Sequence, residues 1–307
     1  GQPKKSEITV SSSIFFNKIA STPDYTMKYG NGFDQAFGWF FSNWGPSFER
    51  EGRAGWGNFS NFPSVYDIRN DGTILHPFST AGASTGIPAA FPEFQGRRYE
   101  WKPYASVPNF FRTGTVSNLS VNANGSSDDG TLSYDASFGH LEDEGFTRGN
   151  TLNRNTLGLG GRAVLSNKFT INGTMNYSRT DFKSPPVALG DGNQVIGSGA
   201  SVFSNVFFTP RSVDLMNIPF QNPITGGSVY YRQNNSIQHP LWTVNNAFTR
   251  QLTNRAFGNI SAQYDINDNL NLLYRFGYDV YNERNLNAQN KGGIGVSTQY
   301  ISGVYQT

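Results

Sequence analysis

The chain contains no cysteine, which excludes disulfide staples and thiolate metal sites alike. Its 3 histidines, His76, His140 and His239, are too scattered for ligand spacing, so no metal centre is expected. No Ser–His–Asp or Cys–His arrangement can be assembled. The expectation is a protein that is not an enzyme and carries no cofactor. Charge is sparse as well: charged residues make up 15% and the net charge is +2, too little to hold nucleic acid. No apolar run approaches the roughly 18 residues that a membrane-spanning helix needs. No secretory leader opens the chain either. The first residues, GQPKKSEITVSSS, read as a polar lead into a strand, so the chain is expected to be a mature or internal stretch of something longer.

What is present is aromatic, glycine-rich and polar without charge. Aromatics reach 15% and glycines number 34, while hydrophobic residues total only 36%. These residues fall into period-two segments. In 115–124, Leu119, Val121 and Ala123 oppose Asn118, Ser120, Asn122 and Asn124. In 131–141, Leu132, Tyr134, Ala136 and Phe138 oppose Ser133, Asp135, Ser137 and Gly139. In 168–178, Phe169, Ile171, Met175 and Tyr177 oppose Thr170, Asn172, Thr174, Asn176 and Ser178. Such alternation marks strands with one apolar and one polar face. Strands of about ten residues with neutral polar faces, joined by tight turns, fit an all-β, transmembrane antiparallel β-barrel.

Seven long strands are predicted, at 6–16, 115–124, 131–141, 152–165, 168–180, 252–266 and 269–282. The turns at 125–130, Ser166-Asn167 and Asn267-Asp268 are short, with Asn and Asp suited to positive φ. The stretches 17–114, 142–151, 181–251 and 283–307 are long and show no convincing helix. Parity places every long stretch on one side of an up-and-down sheet. Barrels keep short turns in the periplasm and long loops outside, so these stretches are expected to be extracellular. Single-chain bacterial barrels have even strand counts from eight upward, so this chain is expected to be part of a larger barrel. The apolar faces are expected to meet lipid at Leu119, Val121, Leu132, Phe138, Ile171, Met175, Ile260, Leu272 and Phe276. Asn122, Ser133, Asp135, Asn172, Asn176, Gln263, Arg275 and Asp279 are expected to face a lumen.

Several segments resemble the SusC/RagA-like TonB-dependent transporters of Bacteroidetes. The stretch Val107-Pro108-Asn109-Phe110-Phe111-Arg112-Thr113-Gly114 resembles that family's FF-x-TG segment before a barrel strand. Gly125-Ser126, Leu132-Ser133-Tyr134, Gly145-Phe146, Leu152-Asn153-Arg154-Asn155 and Leu165-Ser166-Asn167-Lys168 follow in the family's order. Asn43-Trp44-Gly45-Pro46 resembles its WGP element, and Lys4-Lys5 before Glu7-Ile8-Thr9-Val10 resembles the junction of plug and barrel. The resemblance implies a 22-stranded barrel of the bacterial outer membrane, with the plug domain lying outside this chain. It implies import of oligosaccharides or peptides energised through the TonB complex, with a SusD-like surface lipoprotein as lid. Lipid bilayer and lipopolysaccharide would surround it. The alternatives are a passive porin or structural barrel, and a soluble β-rich carbohydrate-binding or hydrolytic domain, which would need charged strand faces.

Candidate contact residues are the loop aromatics. Phe33, Phe37, Trp39, Phe40, Phe41, Trp44, Phe48, Trp56 and Phe59 crowd 33–59, and Tyr230, Tyr231, His239 and Trp242 lie in the second long loop. Trp39, Trp44, Trp56, Tyr230, Tyr231 and Trp242 are the residues expected to stack on substrate or contact the lid. The competing reading is a loop that packs on its own aromatics. Glu142, Asp143 and Glu144 suggest either a calcium loop or a solvated one. Gly158, Gly160 and Gly161 mimic part of a dinucleotide fingerprint, but no helix follows. Glycines here instead suit close approach of a plug to the lumenal face.

Overall fold

A computed structural model describes residues 6–33, 36–39, 42–49, 71–186, 202–232, 235, 237–294 and 302–307. The strands in chain order are β1 (Glu7–Asn17), β2 (Gly32–Phe33), β3 (Ala36–Phe37), β4 (Thr73–Leu75), β5 (Arg98–Glu100) and β6 (Gly114–Ser126). They continue as β7 (Leu132–Glu144), β8 (Thr151–Ser166), β9 (Phe169–Ser184), β10 (Ala247–Asn267), β11 (Leu270–Gln289) and β12 (Val304–Gln306). Four short helices sit in the connections: α1 (Ile87–Ala90), α2 (Ser106–Phe110), α3 (Val202–Phe207) and α4 (Pro240–Asn246). The sequence shows no convincing helix there because these run only 4 to 7 residues, too short for a 3.6-residue period to register.

One antiparallel sheet of 8 strands, in the order β1-β6-β7-β8-β9-β10-β11-β12, dominates the chain. Pairing partners in an antiparallel ladder share a face, so the register tests the alternation directly. One row runs Phe138, Leu157, Tyr177, Ala256, Val280, and a second Ala136, Leu159, Met175, Gly258, Tyr278. A third runs Tyr134, Gly161, Gly173, Ile260, Phe276, and a fourth Leu132, Ala163, Ile171, Ala262, Tyr274. Leu119, Val121 and Ala123 of β6 and Ile8, Val10 and Ile14 of β1 extend the same face. All nine apolar positions named above lie on it, and all eight polar ones lie on the other. The apolar face carries no Asp, Glu, Lys, Arg or His from Ala256 to Tyr264 on β10, about 27 Å of strand, or alongside it on the neighbouring strands. Asp135, Arg162, Arg255, Arg275 and Asp279 all lie on the polar face.

The short connections join β6 to β7, β8 to β9 and β10 to β11, and antiparallel succession puts all long ones at the opposite end. Two turns sit one residue later than alternation suggested. A register shift between Val164 and Ser166 places the first at 167–168, and one between Asp265 and Asn267 places the second at 268–269. Neither turn uses positive φ; Asn235, at 49°, is the one described non-glycine residue that does. The extra bulge residue supplies the strand twist that a positive-φ turn would otherwise provide. In the 127–131 turn, Asp129 Oδ1 accepts from the Thr131 amide at 3.0 Å and Ser127 Oγ at 2.5 Å. Strands β7 to β11 also run further toward the long-loop end than predicted, because there the apolar face gives way to charge and alternation fades.

The glycine reading needs correction. Gly158 and Gly160 face the polar side, but Gly161 faces the other. The space a side chain would take is filled from β7: a Cβ on Gly160 would meet Asp135 Oδ1 at 2.1 Å, and one on Gly158 would meet Ser137 Oγ at 2.5 Å. Gly258 is as tight but against backbone, since its Cβ would meet the Thr174 carbonyl oxygen at 2.1 Å. Backbone cannot swing aside as a side chain can. Gly258→Ala is expected to lower stability by about 1–3 kcal/mol in denaturant titration, against a smaller loss for Gly161→Ala.

The hydrophobic core lies outside the sheet. Its members, among them Phe37, Trp39, Ile74, Phe78, Tyr99, Trp101, Val107, Phe110, Val206, Leu215, Tyr230 and Tyr231, come from the two longest connections. The apolar face of the sheet is bare: Leu272 is 62% exposed, Phe276 56% and Ile260 55%. A sheet in water would bury such a face; this one leaves it open while its loops build a cap.

Candidate functional site

The cap is assembled around the segment 211–215. Its backbone lies between residues of the first long connection. Tyr99 Oη donates to the Ser212 carbonyl at 2.9 Å and Ser106 Oγ to that of Val213 at 2.5 Å. Asn31 N donates to Ser212 Oγ at 2.8 Å, and Arg211 N to Asn43 Oδ1 at 2.8 Å. Polar groups thus satisfied can be buried without the penalty of an orphaned donor. The Arg211 guanidinium stacks 4.0 Å from the Tyr25 ring centre, and burial pulls its pKa down.

The six candidate contact residues separate in space. Trp39, Tyr230 and Tyr231 come together inside the cap, with ring centres of Trp39 and Tyr231 at 6.3 Å and of the two tyrosines at 4.6 Å. Trp39 also meets Phe37 edge-on at 5.3 Å. Trp242 is fully buried in α4, its Nε1 donating to the Gly226 carbonyl at 2.9 Å. These four side chains are spent on internal packing, which favours the self-packed reading for them. Trp44 stands apart at 70% exposed, and Phe33 is 68% exposed; each follows one partner of the Gly32–Asn43 bridge. Trp56, with Phe40, Phe41 and Phe59, lies outside the described residues.

Two histidines act as caps, a role the sequence signals as a repeated His-Pro dipeptide. His76 Nδ1 accepts from the Phe78 amide and His239 Nδ1 from the Leu241 amide, both at 3.1 Å. Each precedes a proline at the first helical position, where the missing N–H costs nothing. Burial lowers the His76 pKa to about 4 and that of His239 to about 3. Both rings stay neutral near pH 7.

The acids at 142–144 sit in β7 rather than in a loop, so Asp143 points away from Glu142 and Glu144. They cannot converge on one ion, and no group of acids and histidines with metal-holding geometry occurs among the described residues. The polar face of the sheet holds a shallow depression of about 450 Å³, bordered by Thr174, Asn176, Asn259, Gly277 and Asp279. Asn259 Nδ2 donates to Thr174 Oγ1 at 2.9 Å, and Arg255 Nε to Asp279 Oδ1 at 2.9 Å. Neutral donors and acceptors with one ion pair suit a wetted wall for polar solutes.

No protein-family model matches the chain, and no curated protein matches it. Solved structures do. The RagAB peptide importer in its open-open state aligns over 95% of this chain and 29% of that one, at 15% identity and a TM-score of 0.61. The same importer in its closed-closed state aligns over 95% and 30%, at 15% identity and a TM-score of 0.59. The chain therefore spans under a third of the chains it resembles. At this identity the likeness shows the fold alone: a large antiparallel sheet with long connections at one end, shared with part of that importer.

Proposed function

We propose that the chain forms part of the barrel of an outer-membrane nutrient importer of the SusC/RagA-like, TonB-dependent type. The observation that carries this is the charge-free apolar face, continuous across seven strands and left uncovered while the core sits in the loops. Lipid is the partner that removes such a face from water. The polar face then lines the lumen, and the edge of β1 and the part of β11 before its pairing with β12 at Asn287–Gln289 pair with further strands of a 22-stranded barrel. The cap lies outside the cell, above the lumen, where substrate arrives. Peptides or oligosaccharides are the cargo, a SusD-like lipoprotein is the lid, and TonB supplies energy through a plug.

Exposed Trp44 and Phe33 are the lid or substrate contact in this reading, while Trp39, Tyr230, Tyr231 and Trp242 hold the cap that presents them. Trp44→Ala is expected to reduce lid binding or uptake with barrel assembly unchanged, judged by heat-modifiable gel mobility. Trp39→Ala should instead disorder the cap. Cysteines at exposed Ser84 and Thr225 should react with an impermeant maleimide on intact cells, and one at Asp128 should not. Reaction at Asp128 alone would invert the orientation. Uptake of a labelled peptide mixture should stop when a protonophore collapses the proton gradient; uptake that persists would point to a passive pore.

A further inference from the structure

The charge-free band ends abruptly toward the cap. Its border is the row His140, Asn155, Arg179, Asn254, Asn282. From that row outward, β9 carries Arg179, Asp181 and Lys183 at alternate positions, so all three lie on the apolar side of the sheet. Arg250 of β10 pairs in register with Lys183, and Arg284 of β11 stands opposite Leu252 on the same face. Four cations therefore surround one carboxylate across three adjacent strands. Asp181 is occupied by Arg250, which donates to it at 2.7 and 2.5 Å. Arg179, Lys183 and Arg284 are exposed. Glu142 and Glu144 share the face but sit two strands away on β7, roughly 10 Å off. Apolar side chains interleave with the cations: Lys183 Nζ lies 4.6 Å over the Phe248 ring, Leu252 stands in the row of Asp181 and Arg284, and Leu286 in the row of Lys183 and Arg250.

We propose that Arg179, Lys183 and Arg284 form a binding site for the phosphate of a phosphorylated lipid headgroup in the leaflet on the cap side. This rests on the sheet spanning a membrane. The cluster stands where the apolar band stops, which is headgroup depth. An excess of cations beside a low-dielectric band is stabilised by an anion, and phosphate oxygens match a guanidinium fork in two-point contact. The interleaved Phe248, Leu252 and Leu286 suit the start of an acyl chain rather than free phosphate. The site faces away from the lumen and takes no part in transport.

The test uses the intact protein in a neutral maltoside detergent, titrated with bis-phosphorylated lipid A and followed by native mass spectrometry. The variant R179Q/K183Q/R284Q leaves the Arg250–Asp181 pair in place and should bind the lipid about a hundredfold more weakly, at about fivefold per cation lost near the surface. R154Q/R162Q/R275Q removes the same charge from the polar face and should bind as the parent does. Equal loss in both variants, or none in the first, overturns the site. Displacement of the lipid by millimolar inorganic phosphate would assign it to free phosphate and overturn the lipid claim. A protein that stays monodisperse without detergent would fail the membrane reading itself, a result distinct from either.

Discussion

Ile260→Arg costs the folded protein about 2–4 kcal/mol, whereas Asn259→Arg, one residue away, costs at most about 1 kcal/mol. Ile260 sits midway along the charge-free run on β10, in register with Gly173 and Phe276. A guanidinium there must leave water for hydrocarbon or drag water in with it. Asn259 points to the other face, where Arg255 already pairs with Asp279. The substitution loses one hydrogen bond to Thr174 and keeps its charge hydrated. Urea titration in phospholipid vesicles, read by heat-modifiable mobility, separates the two. Equal costs would mean that both faces meet the same solvent.

Acidifying from pH 7 to pH 4 is expected to loosen the cap while the sheet stays folded. His76 and His239 cap their turns only as neutral acceptors, and burial holds their pKa values near 4 and 3. An unfolded histidine titrates at about 6.5. Folded pKa values below the unfolded one mean that the unfolded cap takes up protons first as pH falls. The stability is therefore full above about pH 6.5 and drains away between there and pH 4, by on the order of 3 kcal/mol per histidine. The described tryptophans, Trp39, Trp44, Trp101 and Trp242, all lie outside the long strands, so their fluorescence reports the cap. Far-ultraviolet circular dichroism reports the sheet. The double variant H76N/H239N keeps an acceptor at each cap without the titration and should flatten the fluorescence change. An unchanged acid transition in that variant would remove the histidines from the explanation.

The strands were legible because a sheet with one apolar and one neutral polar face writes its period of two into every strand. Leu119, Phe138, Ile171 and Phe276 come from four strands, and the register brings all of them to one face. Strand ends were less legible. Beyond Arg179 and Asn254 the apolar face turns charged, so alternation gives no contrast although the ladder continues to Ser184 and Gln289. The turns shifted by one because a bulge leaves no mark in composition. The cap was the least legible part. Trp39 and Trp44 stand five residues apart in the same aromatic run, yet one is core and the other surface. Without a regular period, sequence carries no direction for a side chain. The His-Pro dipeptides at 76 and 239 were a usable signal for the caps, since the proline pre-sets a first helical turn and the histidine supplies its acceptor.

Spin labels placed singly from residue 254 to 264 of β10, in the protein reconstituted in phospholipid bilayers, test the central claim most directly. Collision with oxygen, which concentrates in hydrocarbon, should peak at even positions from 256 to 264. Collision with a water-soluble nickel chelate should peak at the odd positions 255, 257, 259, 261 and 263. Position 254, in the border row, should show the oxygen signal falling. Nickel access at both parities would contradict the account, because the apolar face would then be meeting water rather than lipid.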